Sequence, residues 1–262
     1  MKSSYDATIP CVIIENCFGK KINQKILKEA LKLKRKFVNA KVGSDNGGVI
    51  NKKLRTNTTC FYENIYNHDD QNKKKKIRQT SSLIKAYKNL FGNSDFRELL
   101  SSCSQSLPLA NFVHTNHEEF QVSRYGDSGQ KYDWHIDRFE NFARTITLVY
   151  YFHKEPKQYK NGEILLSPNP MSKGKLIGPN PLIKEITPKN DLMVIFPSNM
   201  SHCVKPTTSP KKFEDGRFSA NVWIGTQWLQ LGQWKLDEDG CKVVINLNHK
   251  KIRPIFHVFE VQ

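Results

Sequence analysis

The chain has 262 residues, with 41 Lys and Arg against 25 Asp and Glu and a formal net charge of +16. Hydrophobic residues make up 38% and aromatic residues 11%. That is too apolar for a disordered chain, and the length is enough for a core that needs no disulfide staple. No apolar run reaches the roughly 18–20 residues of a membrane span, and the patch at residues 11–14 is too short for a secretory leader.

The six cysteines are far apart and form no CxxC pair. This disfavours a zinc ribbon or a disulfide framework and implies reduced thiols in the cytoplasm. Charge is uneven: residues 1–110 hold 21 Lys and Arg against 9 Asp and Glu. A basic lobe of this kind suits nucleic acid, an acidic protein or an anionic surface, although a solvated lysine face is the plainer reading.

In chain order, residues 22–38 place Ile22, Ile26, Ala30, Leu33 and Phe37 at three- and four-residue steps, which predicts an amphipathic helix with lysines outward. The GSDNGG segment within 39–51 reads as a loop. A second helix is predicted from about Ser81, and a short third over 95–103, ended by Pro108. After residue 110 the character changes. Residues 120–125, 145–152, 163–166, 192–196, 218–224 and 242–247 are short β-rich runs separated by Gly, Pro and Asn clusters. The pattern predicts a mainly β fold of sandwich, jelly-roll or barrel type. We read one domain over 1–262: a helical, lysine-rich N-terminal layer (1–115), a β core (116–230) and a C-terminal β extension (231–262).

The densest chemical signal is QVSRYGDSGQKYDWHID, residues 121–137. It ends in His135-Ile136-Asp137, and in extended backbone positions i and i+2 share a face, so one strand end can offer an imidazole and a carboxylate to a single metal. His202, after the strand-like run LMVIFP, is the candidate second imidazole; two His and one carboxylate make the facial triad of non-haem Fe(II) sites. In GRFSANVWI, alternation puts Arg217, Ser219, Asn221 and Trp223 on one face and Phe218, Ala220, Val222 and Ile224 on the other. An inward-facing Arg needs an anionic partner, and a guanidinium fits a carboxylate bidentately.

Taken in order, Tyr125, Gly126, Gly129, Tyr132, His135 and Asp137, then Arg144 with TITLVYYF, then NGEILLSP, NDLMVIFPSNMSHCVKP and GRFSANVWI, this stretch resembles the Fe(II)/2-oxoglutarate-dependent dioxygenases, and among them the prolyl 4-hydroxylase-like branch. The resemblance covers roughly residues 120–226. It implies a double-stranded β-helix (jelly roll, cupin-like) buttressed by α-helices. It implies His135, Asp137 and His202 as iron ligands and Arg217 as the partner of the distal 2-oxoglutarate carboxylate. Tyr125 and Tyr151 match tyrosines that donate to that carboxylate, and Ser219 resembles the serine of an R-x-S pairing. Asn221 and Thr147 are expected to line the cosubstrate pocket. The implied cofactors are Fe(II), 2-oxoglutarate as cosubstrate and O2, with ascorbate as an accessory.

The ligand Asp, where halogenating relatives carry a small residue, implies hydroxylation. His202 and Arg217 stand fifteen residues apart, wider than in hypoxia-sensing prolyl hydroxylases, and the insert is expected to form a hairpin tip or to shape the substrate entrance. Residues 154–162 and 167–181 are expected as rim loops, Trp134 as packing, and Arg138 and Arg144 as solvent charges. The expected reaction is hydroxylation of an unactivated C–H of an amino-acid side chain, first of all a peptidyl-prolyl residue. Alternatives are a hydroxylase of a free amino acid or other small metabolite, a nucleic-acid-directed oxygenase, and a non-catalytic basic binding module. The nucleic-acid reading is weakened because RFSANVWIG lacks the second Arg of repair demethylases. The substrate identity and the oligomeric state stay open.

Overall fold

In a computed structural model of the chain, the described residues are 2–42, 48–62, 80–102, 117–126, 129–137, 143–172, 174–208 and 212–226. The strands are β1 (Lys2–Asp6), β2 (Cys11–Glu15), β3 (Val38–Asn39), β4 (Thr58–Phe61), β5 (His117–Tyr125), β6 (Gln130–His135), β7 (Ala143–Phe152), β8 (Lys160–Asn161), β9 (Ile164–Ser167), β10 (Met171–Ser172), β11 (Lys175–Leu176), β12 (Lys184–Ile186), β13 (Leu192–Pro197), β14 (Ser201–Thr208) and β15 (Arg217–Thr226). The helices are α1 (Lys20–Lys32), α2 (Ser82–Gly92) and α3 (Ser94–Ser102). None of these helices is long and apolar enough to cross a membrane.

A large sheet has the order β1-β2-β13-β7-β15-β5-β4-β3, and a smaller one β12-β9-β14-β6 with β8 beside β14. Period-2 alternation decides what each face of the large sheet meets. Met193 and Ile195 of β13, Leu148 and Tyr150 of β7, and Phe218, Ala220 and Val222 of β15 join Ile26 and Ala30 of α1 and Leu83 and Tyr87 of α2 in one core. The intervening residues face the smaller sheet: Leu192, Val194, Phe196, Val149 and Tyr151 pack with Ile164, Leu166 and Ile186. The helices therefore buttress one face of the large sheet, and the smaller sheet covers the other, the layering of a jelly roll.

The N-terminal part departs from the expected helical layer. Residues before 63 supply β1 to β4, and β2 pairs with the central strand β13. The first helix is shorter than its periodicity, ending at Lys32, followed by a 3-10 turn at Lys34–Lys36 and extended backbone at Phe37. Tertiary packing wins over pattern here: Phe37 turns away to meet Phe213 at 5.2 Å and Phe218 at 6.4 Å. No capping side chain precedes α1. Asp191, in the turn before β13, accepts from Phe18 N (2.9 Å) and Gly19 N (2.8 Å) and from the buried Tyr150 hydroxyl (2.9 Å), doing the cap's work from a distance. The predicted strand at 242–247, the rest of the C-terminal extension, Pro108, Arg138, Cys103 and Cys241 lie outside the described residues. Cys11, Cys17, Cys60 and Cys203 are free thiols.

Candidate active site

His135 closes β6 and pairs in register with His202 of β14; Asp137 follows two residues beyond the end of β6. This register brings two residues 67 positions apart in sequence side by side. Their ligand atoms and a carboxylate oxygen of Asp137 all lie within 4.8 Å of one another. His202 Nε2 is 3.3 Å, and His135 Nε2 3.8 Å, from the Asp137 carboxylate. Each ring is fixed by its other nitrogen: His135 Nδ1 is 2.8 Å from the Asp133 carbonyl and His202 Nδ1 2.9 Å from the Met200 carbonyl. A carbonyl only accepts, so the protons sit on Nδ1 and both Nε2 lone pairs face the common point, the arrangement of metal-bound imidazoles. Burial, with the His202 imidazole beside it, holds His135 well below the usual histidine range and keeps it neutral.

The carboxylate is equally constrained. Thr147 Oγ1 donates to Asp137 Oδ2 (2.9 Å) and lies 3.0 Å from Ser198 Oγ; the Asp137 amide donates to the Ser198 carbonyl (2.9 Å), and Arg144 Nη1 to the Asp137 carbonyl (3.3 Å). Thr147, expected in the cosubstrate pocket, instead orients the aspartate. Burial alone would raise Asp137, yet its carboxyl is held below the ordinary range, the Arg144 guanidinium contributing, and it accepts from Thr147 as an anion. Two imidazoles and one carboxylate converging from one side fit a divalent metal with positions left open, as non-haem Fe(II) requires.

A cavity of about 500 Å³ adjoins the triad. It opens between the two sheets and takes the polar face of β15, with Arg217, Ser219, Asn221 and Trp223 all lining it. Arg217 is 1% exposed. Its register partner on β5 is Tyr125, and that of Ser219 on β7 is Tyr151, so the two rings flank the guanidinium, whose carbon sits 4.7 and 4.9 Å from their centroids. Arg217 Nε donates to the Gly162 carbonyl (2.8 Å). Arg217 Nη1 and the Tyr151, Tyr159 and Thr207 hydroxyls are buried without a hydrogen bond of good geometry. Burial pushes the Tyr151 hydroxyl up to about 12, against the pull of Arg217, so it stays a donor. A buried guanidinium with a bare nitrogen beside unpartnered hydroxyls is costly unless an anion completes it. The set therefore fits a carboxylate.

Gly162 makes this floor possible. It has φ 79°, and a Cβ there would come within 2.8 Å of both Arg217 Cδ and Thr207 Oγ1. Tyr159 and Thr207 are residues that sequence reasoning missed; Thr207 belongs to the insert before Arg217. None of the described residues of that insert (205–216) lines the cavity. β14 runs through it to Thr208, and Phe213–Asp215 forms a 3-10 turn whose Phe213 carbonyl accepts from Arg124 Nε (2.9 Å).

The rim also differs from expectation. None of the described residues of 154–162 or 167–181 lines the cavity, Gly162 and Tyr159 meeting it only through Arg217; Val38, Lys41, Val42, Arg55, Thr59 and Phe61 of the N-terminal part do line it. Arg144 is no solvent charge: it is buried, pairs with Glu119 and stacks at 4.0 Å on Trp223. Arg55 stacks at 4.4 Å on Tyr132, which stacks at 3.5 Å on His135.

Comparison with known proteins agrees with this geometry. The 2OG-Fe(II) oxygenase superfamily model matches residues 120–225. An uncharacterized PKHD-type hydroxylase of Synechocystis sp. is 35% identical over 109 residues, 40% of this chain. The chain spans 35% of that relative's length. A Trichoplax adhaerens prolyl hydroxylase, solved with a peptide fragment of the hypoxia inducible factor oxygen degradation domain, has a TM-score of 0.52 at 21% identity over 83% of this chain and 84% of its own. A Pseudomonas putida prolyl-4-hydroxylase gives 0.50 at 14% identity over 84% and 94%. At these identities the likeness is one of fold. Residues 120–225 thus match the 2OG-Fe(II) oxygenase superfamily model, on a fold similar to that of the prolyl hydroxylases.

Proposed function

We propose that the protein is an Fe(II)- and 2-oxoglutarate-dependent hydroxylase acting on an amino-acid side chain, with a peptidyl-prolyl or similar peptide residue as the leading substrate. One observation carries the reading: three converging metal-ligand atoms share a cavity with a buried arginine whose terminal nitrogen has no partner. His135, Asp137 and His202 would hold the metal. Arg217 would hold the distal carboxylate of 2-oxoglutarate, helped by the Tyr125 and Tyr151 hydroxyls and by Ser219. Fe(II) with 2-oxoglutarate supplies the activation of O2, which no side chain here can supply.

The protein's own contribution is geometry and exclusion of water. The Nδ1–H bonds to backbone carbonyls aim both imidazoles, and Thr147 fixes the aspartate. The flanking tyrosine rings limit the swing of Arg217, so little ordering remains to be done when the carboxylate arrives. Val149, Ile164 and Val204 give the cavity apolar wall and lower its dielectric, which strengthens the charge pair.

The test is succinate release with Fe(II) and 2-oxoglutarate, screened across free amino acids, proline-containing peptides and methylated oligonucleotides, with mass detection of one added oxygen. Prolyl peptides are expected to stimulate turnover, and His135→Ala and Asp137→Ala to reduce it to background. Turnover surviving in both variants removes the iron assignment. Oxygen gained only on a free amino acid or an oligonucleotide replaces the prolyl reading.

A further inference from the structure

We propose that the compound oxidised carries a carboxylate, and that Arg55 is the residue that recognises it. The inference rests on the hydroxylase reading and deepens it by naming the charge of the substrate.

Arg55 lines the same cavity and is 8% exposed. Among the described residues its hydrogen-bond partners are neutral: Asn57 Oδ1 (2.8 Å), Gln121 Oε1 (3.1 Å) and the Lys41 carbonyl (3.3 Å). A guanidinium has five N–H donors. These bonds engage one on each nitrogen and leave one N–H on each terminal nitrogen to donate to a further acceptor. Among the described residues no carboxylate lies within ion-pair distance of it. The other cavity arginines differ. Arg144 has Glu119, and Arg217 has the floor that suits the cosubstrate.

Charge balance leads to the same place. A divalent metal, a dianionic cosubstrate, Asp137 and Arg217 cancel, and Arg144 cancels Glu119. Arg55 is left over, with Lys41 adding a second positive charge to the lining. An uncompensated buried charge is unfavourable, and one carboxylate on the incoming substrate removes it. The stack of Arg55 on Tyr132 and of Tyr132 on His135 sets that charge beside the metal triad, where a substrate must be held.

A free carboxylic acid and the acidic side chain of a peptide present the same group, so the test has two arms. The full chain, loaded anaerobically with Mn(II) and 2-oxoglutarate, is titrated with trifluoropropionate and with its amide. In the second arm it is titrated with an N-trifluoroacetyl Ala-Asp-Ala amide and with the Ala-Asn-Ala counterpart. Paramagnetic broadening of the fluorine signal reports binding near the metal. The acid is expected to bind about tenfold or more tighter than its neutral twin, the ratio of a charge-assisted hydrogen bond. Arg55→Gln should bring the ratio close to one, and Arg55→Lys should keep part of it, which a merely structural role for the stacked guanidinium would not do.

Discrimination in the first arm alone identifies a small acid; in the second alone, an acidic peptide. Equal binding of acid and amide by the wild-type chain overturns the proposal without need of a variant, as does a ratio that survives in Arg55→Gln. Binding of Mn(II) and 2-oxoglutarate is measured separately by calorimetry. Its absence would bring down the hydroxylase reading, and this proposal with it.

Discussion

Tyr159 is where a single atom can be weighed. Its hydroxyl is buried without a partner, close enough to Arg217 to feel its charge, and burial raises its pKa, so it stays protonated and able to donate. If the floor takes a carboxylate, Tyr159→Phe should weaken 2-oxoglutarate binding by about 1 kcal/mol, roughly fivefold, while the thermal midpoint does not fall, because no bond within the protein is lost. Calorimetry against a melting curve separates the two quantities; unchanged affinity removes Tyr159 from the site. Nothing in the sequence marks this residue. His135 and Asp137 share a short motif, and Arg217 interrupts an alternating strand, so each is visible locally. Tyr159 and Thr207 come near Arg217, and Arg55 to the cavity, only because the chain around β8, β14 and the segment before β4 is folded there, and no local spacing encodes that approach.

At the scale of elements, the join between α1 and α2 shows how one side chain can serve two helices. Glu29 of α1 accepts from the Ser81 hydroxyl (2.6 Å), from Ser82 N (2.6 Å) and from Leu83 N (3.3 Å), while Ser81 itself caps α2 by accepting from Ile84 N (3.2 Å). A carboxylate at a helix N-terminus is favourable both as an acceptor and toward the dipole. Glu29→Ala should therefore destabilise the protein by about 1–2 kcal/mol, measured by urea unfolding, with Glu29→Gln recovering part of it. The onset of α2 near Ser81 was legible from its apolar steps, and β15 from its alternation. The end of α1 was not, since Leu33 and Phe37 keep helical spacing while aromatic contacts pull Phe37 into extended backbone. β2 hides for another reason: buried between neighbours and under helices, Cys11–Glu15 reads as a plain apolar patch without alternation.

Across the whole molecule, the triad stands on the smaller sheet and its edge, and Arg217, Tyr125 and Tyr151 on the large one. Loading should therefore stabilise the protein globally. Mn(II) and 2-oxoglutarate, each at about a hundredfold excess over its Kd, should raise the thermal midpoint by roughly 5–10 °C under anaerobic conditions. EDTA should reverse the rise and His202→Ala should abolish it; a midpoint indifferent to both ligands would speak against a site spanning the layers. Since the cavity lies where the two layers part, its contents act as a rivet. The empty protein keeps its leaves together at that seam by apolar packing and a few hydrogen bonds, those of Arg217 to Gly162 and of Thr147 to Asp137 among them. A seated dicarboxylate would clamp that joint of the sandwich more firmly.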